Sequence, residues 1–105
     1  MTHVVVARYR SLPGREEEIL ALLAEVARAS LAEPGCRQYR VHQGTENPRV
    51  LVLYEEYDGE AEFTAHCASD HFQRIVLGQV VPLLEHREVT RCAPAGAGDG
   101  QGGRS

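Results

Sequence analysis

Val50-Leu51-Val52-Leu53-Tyr54-Glu55-Glu56-Tyr57-Asp58 is the segment on which the architecture turns. β-Branched and aromatic residues between turn formers read as a strand. Four apolar residues in a row imply cover on both faces. The pair Glu55–Glu56 then interrupts the apolar run, and pleating sends its two side chains to opposite faces. One carboxylate therefore points toward the layer that covers the sheet, where it is costly unless partnered.

Working outward, residues 44–48 are a polar connector of hairpin length, and Cys36–Gln43 reads as a strand pairing antiparallel with 50–58. Upstream, residues 15–32 show helical spacing at Ile19, Leu22, Leu23, Val26 and Ser30. Glu16, Glu17 and Glu18 suit the positive end of that helix. Glu33-Pro34-Gly35 stops it. Residues 2–9 form a Val-rich first strand, followed by a turn at Leu12-Pro13-Gly14.

Downstream, 60–68 is a short helix, Ser69-Asp70 a break with a fresh cap, and 71–81 a resumed helix before Pro82. Residues 85–92 are a last, mostly polar strand. The order strand–helix–strand, strand–helix–strand gives an α+β fold, a ferredoxin-like βαββαβ antiparallel sheet with helices on one face. One domain is expected over 1–92. Residues 93–105, with five of the ten glycines, are expected to be a disordered tail.

Length and charge narrow the function. At 105 residues, 25% charged and net −4, the chain suits a single soluble domain rather than a nucleic-acid binder. All 11 basic residues are Arg, so Schiff-base chemistry on Lys is excluded. Apolar runs are too short to span a membrane, and no secretion leader is expected. Cys36, Cys67 and Cys92 are widely spaced and odd in number, which suits reduced thiols and a cytoplasmic setting.

The bare sheet face is expected to carry several of Val4, Val6, Val50, Val52 and Tyr54. An apolar face of that size is normally covered. A second copy is the simplest cover, so a two-fold homodimer is expected.

Glu33-Pro34-Gly35-Cys36-x-x-Tyr39-x-Val41-His42, then Val52-Leu53-Tyr54-Glu55-x-Tyr57, then Ala65-His66-x-x-Ser69-x-His71-Phe72, resembles the antibiotic biosynthesis monooxygenase domain. The resemblance runs from about residue 2 to 91. It implies a dimeric α+β barrel with a substrate cavity between sheet and helices. It also implies oxygenation of a small aromatic or quinol-type molecule by O2 with no bound cofactor. The haem-degrading branch is disfavoured, because the first strand has no Asn, the chain no Trp, and residues 74–81 no His. Tyr57 stands where many members carry Trp.

Such chemistry needs a base, a donor for developing charge and a dry pocket. His66 and His71 are the candidate bases. Glu55 either orients a histidine or is a buried counter-charge to Arg40 or Arg87. His66 bonding Glu55 to hold helix to strand is the competing structural reading. Tyr39, Tyr54, Phe63 and Phe72 are the candidate substrate-binding aromatics. No metal site is expected; a triad of Glu55, His66 and His71 is disfavoured. The alternatives are a non-catalytic dimer that binds a small hydrophobic molecule or merely assembles, and an isomerase using the same histidines.

Overall fold

A computed structural model describes residues 1–95. Its elements are β1 (His3–Ser11), α1 (Glu16–Leu31), β2 (Cys36–Gln43), β3 (Val50–Tyr57), α2 (Glu60–Cys67), a π-helix α3 (Phe72–Val80), a 3-10 turn (Val81–Leu83) and β4 (Leu84–Cys92). The four strands form one antiparallel sheet in the order β2-β3-β1-β4. That is the ferredoxin-like order, as expected. The expected tail lies, from residue 96 onward, outside the described residues.

Strand parity builds the two faces. Val5, Ala7 and Tyr9 of β1, with Leu51, Leu53, Glu55 and Tyr57 of β3, are buried toward the helices. Ile19, Leu23 and Val26 of α1 and Ile75, Val76 and Val80 of α3 complete that core. The opposite face carries Val4 and Val6 beside Val50, Val52 and Tyr54, all half-buried, as the alternation requires. Gly14, at φ 79°, supplies the left-handed residue that turns β1 into α1.

The barrel implied by the family resemblance is overturned. Among the described residues the sheet is open, with β2 and β4 at opposite edges and two strands between them. Four strands fall well short of the roughly eight at which a sheet closes around a side-chain-filled interior. The helices cover one face only.

The resumed helix also differs from expectation, being wound with i→i+5 bonding across Phe72–Val80. The wider turn puts Ile75 and Val80, five apart, on one inward face. The helix layer stops short of β4, whose side chains are exposed apart from a half-buried Leu84. Its inward-pointing Arg87 and Val89, opposite Tyr9 and Ala7, therefore border open space rather than core.

Leu53 is fully buried at the centre of this core. Leu53→Ala should cost about 2–5 kcal/mol, read as a lower midpoint of denaturant unfolding with unchanged slope.

Candidate functional site

Two adjacent clusters form the candidate site. The first is a cavity of about 170 Å³ between the sheet and the α2–α3 segment. Tyr39, Phe63 and Phe72 supply aromatic walls, Val5 and Ala7 the floor, and Glu55 a carboxylate. Tyr9 and Arg87 stand at its β4 side. Tyr54 does not line it. That side chain lies on the other face of the sheet, where its hydroxyl donates to Glu56 at 2.7 Å.

Glu55 is 5% exposed. Its Oε1 accepts from the Tyr57 hydroxyl at 2.6 Å. Burial pushes its pKa up to about 7, against the opposing pulls of the Tyr57 hydrogen bond and the Arg87 guanidinium. Of the two expected counter-charges only Arg87 shares its face; Arg40 pairs with Tyr54 in the ladder and belongs to the opposite one. Burial likewise raises Tyr39 and Tyr9, so both remain phenols at neutral pH. Desolvation raises the Cys67 thiol, which argues against a thiolate at this wall.

The second cluster stands behind the aromatic wall. The break after α2 lets His66 and His71 converge from two sides. Ser69 holds the break: its hydroxyl donates to the His66 carbonyl at 2.6 Å and accepts the Phe72 N–H at 3.2 Å. Both imidazoles meet Glu33, not Glu55. Glu33 Oε2 lies 2.9 Å from His66 Nδ1 and 2.6 Å from His71 Nε2. His66 is 1% exposed, and its ring lies 5.3–5.8 Å from those of Tyr39, Tyr57 and Phe72. Burial lowers the His66 pKa against the raising pull of Glu33, so the ring is neutral at neutral pH. Neither histidine is part of the cavity wall itself.

In the sequence Glu33 reads only as part of a helix stop. A signal was available. A carboxylate just past a helix C-terminus faces the negative end of the dipole, so it calls for donors from elsewhere. Turn bonds fix its position: Glu33 N–H donates to Ser30 O at 2.9 Å, and Cys36 N–H to Glu33 O at 3.2 Å.

The Glu55 carboxyl gives a stability test. A carboxyl held near 7 when folded and near 4.5 when unfolded favours the folded state below pH 4.5. That advantage is lost as pH rises to about 7, a change on the order of 3 kcal/mol. Gln accepts the same Tyr57 hydrogen bond without ionising. Glu55→Gln should therefore gain on the parent protein by about that amount between pH 4.5 and 8, measured by denaturant unfolding at each pH. Parallel pH profiles for the two proteins would contradict the assignment.

Known proteins share the sequence pattern and fold of this chain. Residues 2–76 match the family model for antibiotic biosynthesis monooxygenase. Rv0793 of Mycobacterium tuberculosis is 31% identical over 68 residues, 65% of this chain and 66% of that relative's own length. Its solved structure has a TM-score of 0.83 at 30% identity, covering 90% of this chain and 95% of Rv0793. A conserved protein from Methanosarcina mazei Go1 gives 0.83 at 30% identity, covering 88% and 91%. SO0527 from Shewanella oneidensis gives 0.82 at 32%, covering 87% and 88%. No helix among the described residues is long and apolar enough to cross a membrane. The chain belongs to the antibiotic biosynthesis monooxygenase family.

Proposed function

We propose that this protein is an oxygenase that adds one atom of O2 to a small quinol-type ring without a bound cofactor. The observation that carries the reading is Glu55, a buried carboxyl with a pKa of about 7, set in an aromatic cavity. A group titrating near the working pH is suited to proton transfer. The cavity volume, about 170 Å³, favours a single ring over a polycycle. A dry cavity of roughly 150 Å³ holds benzene.

In this reading the ring stacks among Tyr39, Phe63 and Phe72. Its hydroxyl gives a proton to ionised Glu55, and Arg87 stabilises the resulting phenolate. Electrons for oxygen reduction come from that electron-rich anion. A para-hydroquinone and one O2 give a hydroxylated quinone and one water. One oxygen atom enters the ring, the other leaves as water, and the substrate supplies all four electrons. His66 and His71, held on Glu33, back the aromatic wall and keep its geometry.

The working form in this proposal is a cytoplasmic homodimer. The half-buried face of Val4, Val6, Val50, Val52 and Tyr54 is the surface a second copy covers. Sedimentation should give twice the chain mass at micromolar concentration.

The test is oxygen uptake by the pure protein with para-hydroquinone, its methyl homologue and the larger anthrone. One-ring substrates should be consumed in preference, with label from ¹⁸O2 in the product. The rate should rise as pH passes through about 7, as Glu55 ionises. Glu55→Gln should lower kcat by about 10²–10⁴-fold. Folded protein with no uptake above blank would sink the oxygenase reading. Saturable ring binding alone would then favour a binding module, and turnover under nitrogen an isomerase.

A further inference from the structure

The Glu33, His66 and His71 cluster does more than the aromatic wall requires. Two imidazole nitrogens from either side of a helix break converge on one carboxylate oxygen. Their three potential ligand atoms lie within 4.8 Å of one another. We propose that these residues form a binding site for a divalent transition cation of the zinc type. The site is separate from the oxygenase cavity and does not depend on that reading.

The donor set fits. Two imidazole nitrogens and one carboxylate oxygen suit zinc, with bonds near 2.0–2.2 Å. Tetrahedral placement at those lengths sets ligand atoms roughly 3.3 Å apart. The present O···N distances are 2.9 and 2.6 Å. Reaching that spacing requires Glu33 to withdraw by less than about an ångström and the two imidazole nitrogens, within 4.8 Å of each other, to settle at the same separation.

Room for that movement exists. A groove of about 210 Å³ borders Glu33 between the Pro34-Gly35 turn and Glu62, Ala65 and Ser69. It opens the Glu33 side of the cluster to solvent, while neither histidine lines it. Glu33 and His71 are each 17% exposed at the side chain, so the entry side is open, while His66 forms the buried wall.

The hydrogen balance is simple. In the ion-free arrangement each imidazole N–H donates to the carboxylate. When the ion takes that place, each ring changes tautomer: the hydrogen leaves the nitrogen that binds the ion, and the other nitrogen takes one up from water. The carboxylate charge then offsets half of the ion's. Bound there, the ion clips the exit of α1 to both ends of the α2–α3 break. It acts as a structural staple behind Tyr39 and Phe72.

The experiment is a titration of chelator-stripped, full-length protein with ZnCl2 by calorimetry and with Co²⁺ by visible absorption. One equivalent of zinc should bind, and Co²⁺ should give the intense bands of a four-coordinate site. Glu33→Gln, which keeps an acceptor for the histidines, and His71→Gln should each weaken binding by at least about 100-fold. That is the upper range for disturbing even an outer partner of a metal ligand. Glu62→Gln should bind as the parent does.

Nitrogen NMR of the unmodified protein keeps the idea testable should a variant misfold. His66 Nδ1 and His71 Nε2 should shift on zinc addition. No saturable uptake, unchanged affinity in both variants, equal loss in Glu62→Gln, or unmoved imidazole nitrogens would overturn the site.

Discussion

Glu55 faces inward because a strand cannot do otherwise. β3 pairs with β1 along its whole length, and its odd-numbered side chains enter the helix layer with Leu51, Leu53 and Tyr57. Once that register is set, the carboxylate has nowhere wet to go. Shifting it by one residue would expose the leucines and bury Val50, Val52, Tyr54 and Glu56 instead. The apolar partners of Leu51 and Leu53 on α1 and α3 hold the register. The desolvated carboxyl, the Tyr57 bond and the near-neutral pKa all follow from it.

The cavity beside Glu55 has a different origin. The helices lie over β2, β3 and β1 but do not seal β4. The last strand therefore presents Arg87 and Val89 across a gap instead of a packed surface. Close packing elsewhere makes that gap informative, since protein interiors leave few voids. Behind it, the α2–α3 break brings two imidazoles to one carboxylate on the α1 exit. The two clusters share Tyr39 and Phe72 as a common wall.

The outline of this architecture was legible in the residues. Strand boundaries around 50–58 followed from composition, and the sheet faces followed from parity. The opposite fates of Glu55 and Glu56 came from the same rule. The inward face of α1 came from its spacing, with Ile19, Leu23, Val26 and Ser30 buried and Leu22 at the margin. The π-helical winding after Phe72 was not legible, because one-letter periodicity cannot separate an i→i+4 from an i→i+5 ladder over two turns. Closure into a barrel was wrongly expected from family resemblance, since an open edge leaves no mark in the strand pattern. Nor could the sequence pair His66 with Glu33. The two are 33 positions apart, and only the docking of α2 against the α1 exit joins them.

Local chemistry therefore determined the elements, their order, the two faces of the sheet and the family. Those depend on turn residues, side-chain period and short motifs, all written within a few residues of one another. Only the packed fold fixed which carboxylate meets the histidines and which of the candidate aromatics enclose space. The physical reason is that such contacts arise between segments far apart in the chain. Their distances are set by how helices pack across a sheet, and no local pattern records that.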